Sequence, residues 1–183
     1  DQILLSPHSF DEIWIIDHST STAEAASHSG GNSGQGGDLL YRWGNPAVYG
    51  QGSNQDKKLF GQHNARWIEN DLPFGDHIMI FNNGEGRPVG PATTAWNYNY
   101  GDPHNYYAQR LSSAQQLRNG NVLITNGPAG IFTEVNAVGD PVWNYVNPVS
   151  GTTIAPQYSI PSSNNAFRSA FYPISYSGFA GQT

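Results

Sequence analysis

Three of the five tryptophans return along this chain at a near-even interval, each in the same setting. Trp43 lies in "DLLYRWGNP", Trp96 in "TTAWNYNYGDP" and Trp143 in "DPVWNYVNP"; each segment alternates like a strand and ends at Asn-Pro or Asp-Pro. The spacing is roughly 50 residues, the length of one supersecondary unit in a repeat architecture. A second series runs ahead of the first: "DQILLS", "DHIMIFNNG" and "GNVLITNG" are short apolar runs, and the last two leave through Asn-Gly, a strong hairpin signal. The third unit is complete enough to resolve strand by strand. It reads as four consecutive antiparallel strands over Gln109–Leu117, Asn121–Thr125, Gly130–Asn136 and Pro141–Tyr145.

Four-stranded units at this period predict an all-β chain, a β-propeller of four-stranded antiparallel blades. The units fall over residues 1–60, 61–107 and 108–148 of a single domain, with a closing strand and tail in 149–183. About three to four blades are therefore expected, few for a closed ring. The first unit lacks one strand, and "EGRPVGPA" (Glu85–Ala92) leaves little room for a third strand in the second. A last strand is expected in "NAFRSAFYP" (Asn164–Pro173). The chain opens on "DQILLS", with neither a leading Met nor a basic and apolar signal segment, and is expected to start at a processed end. A missing propeller half, or a second chain, would then complete the ring.

Composition supports this and excludes alternatives. Abundant Gly (21) and Pro (12), with 13% aromatic residues, suit short strands joined by tight turns better than long helices. Only 8 Lys plus Arg and a net charge of −6 leave no basic footprint for a nucleic acid. The chain has no cysteine, so neither disulfides nor thiolate metal sites arise. Its histidines lack the His-x-His or His-x(3–4)-His spacing of a metal site, and no EF-hand-like run of carboxylates occurs, so no metal is expected. No apolar run reaches the roughly 18 residues of a membrane-spanning helix.

In a chain so sparing of charge, "FGQHNARWIE" (Phe60–Glu69) stands out, because it opens a strand with three consecutive polar side chains. Alternation would set His63, Ala65 and Trp67 on one face and Gln62, Asn64 and Arg66 on the other. As the inner strand of a blade, this segment would line a channel, where His63 beside small Ala65 has room for a ligand. The residues alone favour a structural histidine bonded to a neighbouring blade's backbone. Arg87 follows an Asn-Gly turn as a solvated cation or a ligand contact, while Asn82 and Asn83 read first as hairpin residues. Ser112 and Ser113 open the next unit, where a hydroxyl would meet a ligand oxygen. His18, His28 and His104 sit in or beside loops and are expected to be exposed.

The segments "EIWIIDHSTSTAEA", "GGDLLYRWGNPAVYG", "LFGQHNARWI", "IFNNGEGRP", "RNGNVLITNG" and "AFRSAFYPISYSGFAG" resemble, in order and over nearly the whole chain, the arylsulfotransferase β-propeller family. These are aryl-sulfate sulfotransferases that use no nucleotide sulfate donor (PAPS-independent), and the likeness is strongest to their uncharacterised bacterial relatives. The resemblance implies a six-bladed ring, of which this chain is the C-terminal part, in the periplasm or outside the cell. It implies no cofactor. It also implies transfer of a sulfuryl group from an aryl sulfate to a phenolic acceptor through a sulfated histidine. In the family that histidine lies in a Gln-His motif followed by F-(D/N)-N-G-(D/E)-G-R, matched here by Gln62-His63 and Phe81–Arg87.

The nucleophile is thus carried onto His63, with substrate contacts expected at Gln62, Asn82, Arg87 and Ser113. The family's enzymes hold an arginine in the strand matching "ILLSPHS"; this chain has Pro7 and His8, so His8 is expected to contact the sulfuryl oxygens in its place. A His-x-Asn segment that the enzymes carry just upstream of that strand would fall before residue 1. The partners implied are small molecules, the aryl sulfate and the phenol. The alternative on the same fold is a non-catalytic binding or interaction module.

Overall fold

The computed structural model describes residues 1–88 and 108–181, and its regular structure is almost wholly short antiparallel strands. Contacts divide the chain into two units, Asp1–Trp67 with Ile78–Arg110, and Ile68–His77 with Leu111–Thr183. Among the described residues, no helix is long and apolar enough to cross a membrane.

The first unit begins with a three-stranded sheet of β1 (Gln2–Leu5), β2 (Ile13–Asp17) and β3 (Leu39–Trp43), with β2 central. β2 follows a strict period of two: Ile13, Ile15 and Asp17 are buried, while Trp14 and Ile16 are half-buried. Just before it, Glu12 is completely buried. Arg42 of β3 grips its carboxylate with Nε and Nη2, each at 2.8 Å, and Trp14 Nε1 donates to it at 2.6 Å. The fork geometry satisfies a charge that burial would otherwise make very costly. Between β2 and β3, a loop folds over the Asp17 carboxylate and carries one helical turn, α1 (Thr22–Ala25), closed by a capping box between Ser21 and Glu24.

A two-stranded sheet of β4 (His63–Trp67) and β5 (Ile78–Phe81) also belongs to this unit. The expected alternation along β4 does not hold. His63 pairs with Phe81 and Arg66 with Met79, three steps against two, so one extra residue is inserted as a β-bulge. Asn64 accommodates it with φ +52°, a left-handed conformation that asparagine tolerates better than most residues. Since cross-strand partners share a face, His63 now shares its face with Arg66, and the opposite face carries Trp67 with its partner Ile78.

The second unit holds the four-stranded meander expected from the sequence: β6 (Ser113–Gln116), β7 (Val122–Asn126), β8 (Ile131–Val135) and β9 (Pro141–Val146), hydrogen-bonded in that order. β6 starts four residues later than the expected Gln109 because Leu111 and Ser112 have φ +60° and +86°, outside any strand conformation. A two-residue pair, β10 (Val149–Ser150) with β11 (Thr153–Ile154), follows.

The strand expected in Asn164–Pro173 does not form. This segment is fastened to β6 largely through side chains: Ser169 N donates to Ser113 Oγ at 3.2 Å and Phe171 N to Gln115 Oε1 at 2.8 Å. Side chains thus take the place of a ladder and cover an edge that would otherwise be open. The repeat segment around Trp96, the tail of "EGRPVGPA" and His104 lie outside the described residues.

Candidate functional site

The site lies wholly in the first unit and is built by two stretches, the approach to β4 and the turn after β5. Gly61 sits at their meeting point with φ +63°. A Cβ there would lie 2.9 Å from Glu85 Oε2 and 3.3 Å from His8 Nε2, so glycine alone lets these side chains converge. The Gly61 amide donates to Asp11 Oδ1 at 2.6 Å, and Asp11 also pairs with Lys57.

His63 is half-buried, and its protonation pattern follows from its neighbours. Nδ1 lies 2.8 Å from Asn83 Oδ1 and 3.2 Å from the Gly61 carbonyl oxygen. A carbonyl only accepts. Asn83 is oriented by its own Nδ2, which donates to Ala108 O at 2.6 Å, so its Oδ1 also accepts. Nδ1 therefore carries the hydrogen, and the Nε2 lone pair is left available. The ring of His8 meets that of His63 edge-on, with centroids 4.9 Å apart, and His8 Nε2 lies 3.8 Å from Glu85 Oε2.

The remaining expected contacts divide. Gln62 is fully buried, donating through Nε2 to Glu12 O at 2.8 Å and to Pro7 O at 3.3 Å, so its amide nitrogen is spent on the backbone before β2. Asn82 uses its amide on the backbone, accepting from Phe60 N and donating to Lys58 O, each at 2.9 Å. Arg87 is half-buried with its guanidinium 5.6 Å from the centre of the Phe60 ring, and burial pushes it below its ordinary value. An arginine so placed stays charged. Lys57, 4.7 Å from the same ring, has Asp11 as its counter-ion, whereas Arg87 has none among the described residues. Arg87 Nε, Gln62 Oε1 and Asn64 Oδ1 are all buried without a hydrogen-bond partner. Such atoms are rare in folded proteins and mark places where folding was not the only demand.

Ser113 belongs to the second unit, where its buried hydroxyl bonds Thr125 Oγ1 at 3.1 Å. His18 and His28 pair with Asp1 and Asp38 at exposed positions. No group of three or more potential metal ligands occurs among the described residues. Sequence reasoning missed Asn83, Glu85 and Gly61 as members of the site. Asn83 did carry a signal, since only its neighbour Gly84 adopts positive φ, and the turn did not need an asparagine at 83.

Fold and site together define a class: an all-β chain of antiparallel sheets carrying an oriented histidine and a half-buried arginine, with no partner on the histidine Nε2 and no counter-ion on the arginine among the described residues. Comparison of the chain with models of protein families, with curated proteins and with solved structures returned no match.

Proposed function

We propose that this protein is an arylsulfotransferase-like enzyme that moves a sulfuryl group from an aryl sulfate to a phenolic acceptor through His63, and that its sheets are blades of a β-propeller. The observation that carries the reading is the fixed tautomer of His63, with Nδ1–H held by Asn83 and Gly61 and Nε2 free. A histidine used as a covalent nucleophile needs one nitrogen with an available lone pair. It also needs acceptors on the other, because the ring becomes cationic when the N–S bond forms. Asn83 Oδ1 and the Gly61 carbonyl are placed for that charge before it develops, which is electrostatic preorganisation.

The sulfuryl group brings negative oxygens, and Arg87 is a desolvated cation without a counter-ion among the described residues. An anionic ligand is what such a group lacks. Sulfuryl transfer resembles phosphoryl transfer in asking the protein mainly for positioning and charge stabilisation. The strand order of β6 to β9 matches a propeller blade.

The test is direct. Full-length protein is incubated with 4-nitrophenyl sulfate and phenol, nitrophenolate release is followed, and the His63 peptide is examined by mass spectrometry. Turnover with a sulfuryl adduct on His63, both lost in His63→Gln, is expected. Absence of turnover and adduct across a range of pH would overturn the reading. Binding of the aryl sulfate without turnover would make the same site a non-catalytic binding module.

A further inference from the structure

Glu85 is out of place in a site for an anion. Its carboxylate stands at the Gly61 convergence point, where it would repel sulfuryl oxygens, yet among the described residues it pairs with no lysine or arginine. The titratable group it faces is His8, at 3.8 Å, and the His8 ring in turn lies edge-on to the nucleophile candidate His63. The other charged groups nearby are accounted for: Asp11 pairs with Lys57, and Arg87 lies against Phe60. Both His8 and Glu85 are part-exposed, at 43% and 57% of their side chains, so His8 reaches solvent and a ligand alike. An imidazole backed by a carboxylate and set beside a nucleophile is the arrangement of a proton carrier. A histidine suits that task, and it serves poorly as the permanent fork-shaped clamp that an arginine supplies.

We infer that His8, facing Glu85, is the general acid and base of the reaction, and that the site therefore accepts aryl sulfates whose phenols are poor leaving groups. This rests on the reading of His63 as nucleophile. In the first half-reaction His63 Nε2 forms a bond to sulfur while the sulfur–oxygen bond to the aryl group breaks. The aryl oxygen keeps that bond pair and takes the proton of His8, leaving as a neutral phenol and a neutral imidazole. In the second half-reaction His8 removes the proton of the incoming phenol as its oxygen attacks sulfur, and the N–S pair returns to His63. Protons and electrons balance over the cycle, with no further reagent.

The experiment compares native protein, His8→Gln and Glu85→Gln on aryl sulfates that span leaving groups from 4-nitrophenol to unsubstituted phenol. General acid catalysis contributes about 10²–10⁴-fold. His8→Gln is therefore expected to lose at least about 100-fold on phenyl sulfate and only a few-fold on 4-nitrophenyl sulfate, whose phenolate leaves unaided. Glu85→Gln is expected to lose less, with the same trend, and circular dichroism checks that both variants fold. A loss equal across the series, or none, overturns the role of His8. The two ideas fail separately, because the His63 adduct in native protein reports on the nucleophile and the leaving-group trend reports on the acid.

Discussion

Replacing Asn83 with alanine tests the centre of the site without touching the nucleophile candidate. Among the described residues the Asn83 side chain accepts from His63 Nδ1 at 2.8 Å and donates to Ala108 O at 2.6 Å, and both Asn83 and Ala108 are buried, at 4% and 1% exposure. Losing the first costs about 0.5–1.5 kcal/mol, and orphaning the buried Ala108 carbonyl costs about 1–3 kcal/mol. The Gly61 carbonyl at 3.2 Å still accepts from Nδ1 and offsets part of the first loss. The net expectation is about 2–4 kcal/mol, read by urea denaturation with tryptophan fluorescence. Long-range proton–nitrogen NMR reads the ring directly: native His63 should show a protonated Nδ1 and a bare Nε2, and the variant a mixture of tautomers. Asn83→Asp separates the two bonds, since its carboxylate keeps the acceptor for His63 but sets an acceptor against Ala108 O. Stability should fall there while the tautomer survives. Native His63 protonated on Nε2 would refute the whole line of reasoning.

Two other expectations rest on buried or hydrogen-bonded carboxylates. Arg42→Met leaves the fully buried Glu12 with only Trp14 Nε1, a loss of about 3–5 kcal/mol by urea denaturation, whereas the double change Glu12→Leu with Arg42→Met should recover most of it. Asp17 is held well below the usual carboxylate range by the hydroxyl of Ser19, then by Ser33 and the backbone amides of both. Its folded value lies below the unfolded value of about 3.9, so its contribution is complete above that pH and is lost as pH falls through the folded value. Carboxyl NMR should show Asp17 titrating below ordinary aspartates, and Ser19→Ala should move the titration upward; an ordinary native value would remove this support for the loop.

What the sequence made legible was the part governed by local pattern. β7 and β8 are short, largely apolar runs bounded by turn residues, and their strands were found within a residue or so of their ends. The turn between them was expected at Asn126-Gly127, yet the positive φ falls on Gly130, because a four-residue loop joins Asn126 to Ile131. The pairing of Glu12 with Arg42 left no trace, since thirty residues separate the partners and neither neighbourhood shows why they meet. The tail offered alternation in "NAFRSAFYP" but not the partner it would need, and its amides went to Ser113 and Gln115 side chains.

The polar triplet Gln62-His63-Asn64 shows most clearly why pattern reached the site but not its geometry. A strictly alternating strand would turn Gln62 and Asn64 to one side and His63 to the other, which gives no reason for three polar residues in a row. The bulge supplies three separate reasons. Gln62 goes under the strand to bond Glu12 O and Pro7 O, Asn64 takes the left-handed turn that inserts the extra residue, and His63 is re-aimed between them toward Asn83 and His8. Bulges collect beside active sites because they redirect a single side chain while the flanking ladder stays paired. Here the re-aimed residue is the one with a free ring nitrogen, and buried polar atoms of both its neighbours remain unpaired. A strand selected for stability alone would have filled those positions with apolar side chains and kept its register; this one gives up both to fix the direction of a single imidazole.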